Sequence, residues 1–260
     1  MLYLKHLFTY RRCGEFFRML ISPSRGLSRW GIGYLGESAL STKFAANCDF
    51  LKGHSMIIQP RIYLASKSPR RRELLKQIGV NFEMLLPRFD PRREIDTDET
   101  PLTEEVPEDY VQRICKAKAN AGWRALQFRN LPLFPVLAAD TTVTLDGKII
   151  GKPLNQEQAT ATLRILSGRQ HQVLTAVAVI FDQRIETRMS VSKITFANLS
   201  EERIRRYIFT NESLDKAGAY AIQGSAAAFI QHLEGSYSGV MGLPVFETAE
   251  LLQIFGYPVL

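Results

Sequence analysis

The chain has 260 residues, 45% of them hydrophobic and 23% charged, which is an ordinary composition for a soluble globular protein. The net charge of +7 would suit a nucleic-acid-binding protein, but residues 1–55 carry eight Lys or Arg against three acids, whereas the remainder is nearly balanced at 25 against 23. The sequence has no long basic stripe and no run of 18 apolar residues, so we expect neither a nucleic-acid partner nor a membrane span.

The first 55 residues differ from the rest of the chain. They are rich in Arg and poor in acids, which is also typical of a transit peptide, and they lack the apolar segment of a secretion signal. We expect residues 1–55 to be a basic leader that is disordered or precedes the true start, and residues 56–260 to form the functional domain. Met56 stands directly before the first strand-like segment, where a compact domain would begin.

The three cysteines, Cys13, Cys48 and Cys115, are odd in number and have no CxxC spacing. This pattern predicts neither a disulfide framework nor a zinc site. A reducing, cytoplasmic location is the simplest interpretation of it.

Strand-like and helix-like segments alternate from residue 61 onward, which predicts an α/β fold with a mixed sheet. The first half predicts a strand at 61–66, a helix over 69–79, a strand at 80–86, a polar loop over 87–107, an amphipathic helix over 107–126 and an apolar strand over 133–140. The second half predicts a hairpin turning at Asp146-Gly147, a helix over 155–168, long strands over 170–182 and 184–199, a helix over 200–210, a strand over 227–235 and a helix opening at Pro244.

The segment SKSPRRRELL, residues 66–75, places three arginines in the first turn of a helix. Ser68 is a good N-cap and Pro69 a good first residue, yet each cation there costs about 0.3–1 kcal/mol because of the helix dipole. The free N–H groups of a helix N-terminus bind phosphate, and arginine adds bidentate hydrogen bonds. We therefore interpret the arginines as part of a polyphosphate site. The chain has no Gly-rich Walker loop, which excludes a P-loop NTPase.

Asp140 ends an apolar segment that we expect to lie inside the sheet. Open α/β sheets bind ligands at the carboxyl ends of their strands, although an aspartate that only caps a turn would look the same in sequence. Extending the register of the predicted hairpin places Lys152 opposite Thr141 and therefore beside Asp140. A purely structural ion pair is the alternative explanation for this arrangement.

Two further features are compatible with a nucleotide site. Lys118 continues the apolar stripe of Val111 and Ile114 on one helix face, so it either reaches into a cleft or extends to the surface. The segment 215–224, DKAGAYAIQG, has glycines that allow a close approach to a ligand or a tight crossing between strands. Its Gln223 offers an amide donor and acceptor that suit the edge of a base.

The long polar loop contains the carboxylates Asp96, Asp98 and Glu99. Carboxylates grouped in this way usually belong to a solvated loop with no binding role. If the loop folds over Asp140, the carboxylates could share an oxygen-coordinated Mg²⁺ or Mn²⁺ with it.

These segments together resemble the Maf family of nucleoside triphosphate pyrophosphatases over residues 60–256. The resemblance rests on several motifs in the right order: SKSPRRRELL, IDTDETP, CKAKANAG, AADTTV, GKP, LSGRQHQVLTAVAV, DKAGAYAIQG and GSYSGVMGLP. It implies an elongated mixed α/β fold with flanking helices and two lobes around a cleft. It also implies hydrolysis of a nucleoside triphosphate to the monophosphate and pyrophosphate, a divalent metal and often a homodimer.

The resemblance also implies roles for individual residues. Asp140 matches the catalytic proton acceptor and, with Glu99, the metal-binding carboxylates. The implied substrate contacts are Ser66, Ser68, Arg70, Arg71, Lys118, Thr141, Lys152 and Gln223. Of these, Arg71, Thr141 and Gln223 match positions tied to substrate choice. Asp140-Thr141 together with KAGAYAIQG is similar to the dTTP/UTP subgroup, whereas the subgroup acting on 7-methyl-GTP tends to have DQ and a Glu near the position of Gln223.

The expected function is therefore hydrolysis of dTTP and UTP, and of modified pyrimidine nucleotides, which would remove surplus or non-standard triphosphates. Two alternatives stay open. One is a non-enzymatic regulator of cell division that binds nucleotide or nucleic acid, which would need neither a metal nor Asp140 next to Lys152. The other is a family member that acts on 7-methyl-GTP or another purine nucleotide.

Overall fold

The computed structural model of the protein describes residues 61–85 and 97–259, together with the backbone of two earlier strands. Those strands, β1 (Phe8–Arg12) and β2 (Glu15–Met19), form an antiparallel hairpin within a unit that spans Met1–Ile57. The second unit spans Ile58–Leu260 and carries every other element named below. The division into a leader and a functional domain stays a prediction.

The second unit contains seven strands and six α-helices within the residues that the structure describes. The strands are β3 (Ile62–Leu64), β4 (Phe82–Met84), β5 (Val136–Leu145), β6 (Lys148–Ile150), β7 (Gln170–Phe181), β8 (Arg184–Phe196) and β9 (Ile230–Glu234). The helices are α1 (Pro69–Gln77), α2 (Pro107–Phe128), α3 (Gln156–Leu166), α4 (Glu201–Ile208), α5 (Tyr237–Met241) and α6 (Val245–Ile254). None of these helices is long and apolar enough to cross a membrane.

The seven strands form one mixed sheet in the order β4-β3-β5-β7-β8-β9, with β6 attached to β5. β3 pairs in parallel with β4 and β5, whereas every other ladder is antiparallel. The predicted α/β class with a mixed sheet and flanking helices is therefore confirmed.

The long central strands are apolar on both faces because helices cover both sides of the sheet. Leu174, Ala176 and Ala178 of β7 pack towards α2, while the alternate residues Val177 and Val179 pack with α1 and α6. A side-chain period of two places successive residues on opposite faces, so a strand covered twice has a nearly continuous apolar sequence. That is why the segment over 170–182 could be recognised as a strand.

Local signals set most element boundaries where they were predicted. Asn155 caps α3 by accepting a hydrogen bond from the Gln158 N–H at 2.8 Å. The hairpin between β5 and β6 turns at Asp146 and Gly147, which have φ of 51° and 74°. Both residues therefore adopt the positive φ that a two-residue hairpin turn requires.

The final part of the chain differs from the prediction in two places. Residues Ser225–Phe229 form a 3₁₀ turn, so the last strand is Ile230–Glu234 and does not begin at residue 227. Phe229 is instead packed against Tyr207. The short helix α5 was not predicted, because Gly239 within it and Gly242 after it favour a loop. Its start depends on a cap in which Ser236 Oγ accepts a hydrogen bond from the Gly239 N–H.

His171 on β7 is a buried, uncharged part of the core. Its Nε2 lies 2.8 Å from the Tyr220 hydroxyl, and its ring contacts Phe196 edge-on. Burial lowers the pKa of His171 to about 4, so the native state disfavours its charged form. Stability that depends on neutral His171 is fully present above the unfolded pKa of about 6.5 and is lost as the pH falls towards 4.

We therefore expect the unfolding free energy to fall by about 2–3 kcal/mol more between pH 7.5 and 4.5 in the wild type than in His171→Phe, which cannot titrate there. Urea unfolding at the two pH values measures the difference. Equal pH dependence in both proteins would show that His171 does not cause the loss.

Candidate active site

One edge of β5 is open where its neighbours stop. β3 pairs with β5 only as far as Leu64 and Leu137, and β6 begins to pair with the same edge at Val143 and Ile150. Within the described residues, 138–142 therefore have no strand on this side, although β7 pairs with all of them on the other side. Such an interruption at the carboxyl end of a parallel strand is a typical ligand site in α/β sheets.

Asp140 lies in this opening, but the predicted end of its strand was wrong. β5 continues five residues beyond Asp140 to Leu145. The continuation is rich in β-branched residues, which favour a strand, and it pairs with β7 throughout. Asp140 was predicted to follow the end of a strand. What ends near it is only the parallel pairing of β5 with β3, at Leu137, three residues before Asp140.

Alternating charges run from Asp140 to Lys152. The Lys118 ammonium nitrogen lies 2.6 Å from Asp140 Oδ1 and 2.6 Å from Glu99 Oε1. Lys152 Nζ lies 3.6 Å from the second oxygen of Glu99. The four side chains therefore form a row in the order Asp140, Lys118, Glu99 and Lys152, called the charge row below.

The predicted contact between Lys152 and Asp140 was wrong, because the register from which it was inferred does not extend to Lys152. The β5–β6 ladder ends at Ile150, so Lys152 is not opposite Thr141 and is linked to Asp140 through Glu99 and Lys118. Lys118 reaches inward from the apolar face of α2 to Asp140. Of the two predicted orientations, this is the one into the protein and not the one towards the surface. The direct partner of the catalytic candidate is thus the residue on the helix.

The charge row shifts the pKa values of its members. Burial alone would lower the pKa of Lys118, but the adjacent Asp140 and Glu99 carboxylates raise it overall. Burial would raise the pKa of Glu99, but hydrogen bonding and attraction from Lys118, together with Lys152, lower it overall. Lys118 is therefore held as an ammonium and Glu99 as a carboxylate.

The predicted carboxylate cluster is only partly assembled. Asp96 lies outside the described residues, and Asp98 is exposed and accepts a hydrogen bond from the Thr100 N–H at 2.8 Å. Of the two carboxylates that the structure describes, Glu99 reaches the charge row and Asp98 does not. Across 61–85 and 97–259 no group of three or more His, Cys, Asp or Glu side chains could hold a metal. The Lys118 ammonium lies between the Asp140 and Glu99 carboxylates, so these two carboxylates fit Mg²⁺ only together with substrate phosphates, a combination that commonly binds this ion.

The polyphosphate interpretation required the three arginines at the start of α1 to point to one site. They point in different directions instead. Arg70 lines a cleft, Arg72 is exposed, and Arg71 is turned inward. Arg71 donates to the Gly242 carbonyl at 2.7 Å and to Ser66 Oγ at 3.1 Å. Burial lowers its pKa, and attraction from the nearby Asp140 partly offsets this effect. Successive helix residues point about 100° apart, so neighbours in sequence need not share a site.

The serines at the end of β3 support this arrangement. Ser66 Oγ accepts from both Arg71 and the Ser68 N–H, the latter at 3.2 Å. Ser68 precedes α1 in the N-cap position, but its side chain makes no capping hydrogen bond. Ser66 is therefore tied to Arg71, and the Ser68 hydroxyl is not committed to the helix.

The cleft lined by Arg70 lies on the other face of β5 from Asp140. Adjacent strand residues point to opposite faces, so Asp140 faces α2 while Thr141 and Val143 face the cleft. Lys152 belongs to both, because it lines the cleft and contacts Glu99. The cleft and the charge row therefore meet at the open edge of β5.

The lining of the cleft divides into charged residues, most of them cations, and apolar residues. Arg70, Lys152 and Lys216 supply positive charge, and Asp215 supplies one carboxylate. Burial and repulsion from Arg70 and Lys152 lower the pKa of Lys216 overall, although attraction to Asp215 partly offsets them. The apolar lining comes from Val143, Val173, Val240 and Met241, and the exposed amide of Gln223 also lines the cleft. This division suits a ligand with an anionic part and a flat, weakly polar part.

Lys216 was missed by sequence reasoning although its motif was noticed. Attention fell on the glycines of DKAGAYAIQG, and one of them serves packing: Gly218 has φ of 72°, and a Cβ there would come within 2.9 Å of Val143 Cγ2. That close approach brings the segment against β5 and carries Lys216 to the cleft. A lysine inside a segment that is predicted to approach a strand closely could have indicated a cation at the site.

The chain matches a known protein family over most of its length. Residues 61–255 match the family described as Maf-like protein. Proteins named dTTP/UTP pyrophosphatase from Aromatoleum aromaticum, Nitrosomonas europaea and Dechloromonas aromatica are 56%, 55% and 51% identical to this chain. The matches cover 78%, 76% and 76% of this chain and 98%, 96% and 98% of the relatives. The solved Staphylococcus aureus Ham1 protein overlaps 75% of this chain and 97% of its own at 15% identity, with a TM-score of 0.41.

Proposed function

The chain belongs to the Maf-like protein family, and on that premise we propose that it is a pyrophosphatase that hydrolyses dTTP and UTP to the monophosphate and pyrophosphate. The observation that carries the proposal is the meeting of the charge row with a cationic cleft at the open edge of β5. Lys152 takes part in both, through Glu99 on one side and the cleft lining on the other.

The cleft accounts for binding of the nucleotide. Repulsion from Arg70 and Lys152 lowers the pKa of Lys216, so a triphosphate that binds among these cations relieves an electrostatic cost. The apolar lining then receives the sugar and base, and Gln223 is positioned to read polar groups on the base edge. Thr141, which directly follows the catalytic candidate Asp140, also lines the cleft.

The charge row accounts for the chemistry. Water attacks the α-phosphorus, forming a new P–O bond, and the bond from the α-phosphorus to the bridging oxygen breaks with its electron pair going to pyrophosphate. Asp140 accepts the proton of the water, and Lys118 holds this carboxylate in place at 2.6 Å. Lys152 and Arg70 stabilise the charge that develops on the leaving pyrophosphate.

Asp140 and Glu99 are the residues that would hold a divalent cation in this proposal. The cation, when bound, supplies further positive charge to the phosphates and makes water easier to deprotonate. The same proposal includes a cytoplasmic location, where the substrate nucleotides are found, and a homodimeric state.

A panel of nucleotides tests the proposal. Pyrophosphate release would be measured for dTTP, UTP, CTP, GTP and 7-methyl-GTP, each with Mg²⁺, with Mn²⁺ and with EDTA. We expect the highest kcat/KM for dTTP and UTP, and loss of turnover in EDTA. Preference for 7-methyl-GTP would indicate the other subgroup, and nucleotide binding without turnover of any substrate would indicate a regulator.

A further inference from the structure

The apolar wall of the cleft is a short, glycine-rich segment that depends on other elements for its position. Val240, Met241 and Gly242 line the cleft at the end of α5. This helix has only five residues, too few to be stable on its own. Contacts from the sheet must therefore keep the wall in place.

Thr175 makes the contact from beneath the cleft. It lies on β7 directly opposite Thr141 on β5 and is only 1% exposed. Its hydroxyl donates to the Gly239 carbonyl of α5 at 2.8 Å and lies 3.1 Å from Thr141 Oγ1. Because a hydroxyl carries one proton, the Thr141 hydroxyl is left to donate to Thr175.

Arg71 completes this network from the other side. Its guanidinium donates to Thr141 Oγ1 at 3.4 Å and to the Gly242 carbonyl at 2.7 Å. Arg71, Thr141 and Thr175 thus connect α1, β5 and β7 to both Gly239 and Gly242. The network fixes the distance between the cleft floor and its wall, while Asp140 and Lys118 are on the opposite face of β5 and outside it.

We propose that Thr175 is a positioning residue that fixes the nucleoside wall of the cleft and thereby sets affinity and base selectivity. The proposal rests on the pyrophosphatase function proposed above. Thr175 does not line the cleft and so touches no substrate; it acts through Thr141 and through the carbonyl of Gly239. Its loss should affect binding of the nucleoside more than the chemical step.

Thr175→Val removes the hydroxyl at nearly constant volume. Losing the hydrogen bonds to Gly239 and Thr141 should raise KM for dTTP about 10-fold and reduce the dTTP-to-GTP ratio of kcat/KM by a similar factor. The value of kcat should change by less than about 3-fold, because the charge row is untouched. Thr175→Ser keeps the hydroxyl and should restore both KM and selectivity.

Thr144→Val is the matched control. Thr144 is another buried threonine, on β5, and its hydroxyl has no hydrogen-bond partner among the residues that the structure describes. Removing that hydroxyl should leave KM, kcat and selectivity at wild-type values. If Thr175→Val is too unstable to purify, Thr175→Ala compared with Thr175→Ser isolates the hydroxyl, since both lack the γ-methyl group.

Steady-state kinetics of these variants decide the matter. A wild-type protein without turnover of dTTP would contradict the proposed function. An active wild type with Thr175→Val unchanged in KM and selectivity would overturn the role of Thr175. Equal losses in the serine and valine variants, or a loss confined to kcat, would also overturn it.

Discussion

Asp140→Asn is expected to reduce pyrophosphate release from dTTP by about 10³-fold or more, because the amide cannot accept the proton of the attacking water. The change also removes one of the two carboxylates proposed to hold the metal. It preserves the shape of the side chain and removes a negative charge near the triphosphate. Nucleotide binding should therefore be as tight as in the wild type or tighter. Pyrophosphate release and binding of dTTP to the purified variant are both measured.

Asp182→Asn is a suitable control for this variant. Asp182 is an exposed residue in the turn between β7 and β8 with φ of 56°, a conformation that asparagine accepts well. It should retain wild-type kcat and KM. An Asp140→Asn variant that keeps more than about a tenth of wild-type turnover would remove Asp140 from the mechanism, since a general base contributes about 10²–10⁴-fold.

Lys118→Met is expected to lower kcat/KM by about 10²–10³-fold, because it removes the cation that orients Asp140 and that would face the phosphates. The ammonium also keeps the pKa of Glu99 low. Without Lys118 the Glu99 carboxyl becomes protonated at a higher pH, so the acid limb of the profile of kcat/KM against pH should move upward. Kinetics between pH 5 and 9 measure both effects.

Lys116→Met on the same helix provides the comparison. Lys116 is exposed one half-turn away from Lys118, so its loss removes a charge of the same type without affecting the charge row. Its kcat/KM and pH profile should match the wild type. A Lys118→Met protein with reduced activity but an unmoved acid limb would show that Lys118 does not control the ionisation of the site.

The sequence allowed the site to be anticipated where a local pattern decides the geometry. Helical spacing predicted that Lys118 would share a face with Val111 and Ile114, and Asp140 was recognised as an acid following an apolar segment. The Asp146-Gly147 turn fixed the register of the β5–β6 hairpin as predicted. In each case the interacting residues are near in sequence or follow one periodic element.

The contacts that could not be predicted join segments that are distant in sequence. Glu99 lies on an irregular loop, and only tertiary structure shows that it joins Lys118 to Lys152. The inward turn of Arg71 is set by the Gly242 carbonyl, 171 residues away. Thr175 is an ordinary residue of an apolar strand, and its role depends on a carbonyl 64 residues further on. No periodicity or spacing rule connects such positions.

Hydrolysis of dTTP in H₂¹⁸O tests the central claim most directly. Because water is proposed to attack the α-phosphorus beside Asp140, the label should enter dTMP, with unlabelled pyrophosphate released in equal amount. Mass spectrometry of the two products measures its position. Label in pyrophosphate, or formation of dTDP and inorganic phosphate, would contradict the proposed chemistry of the charge row.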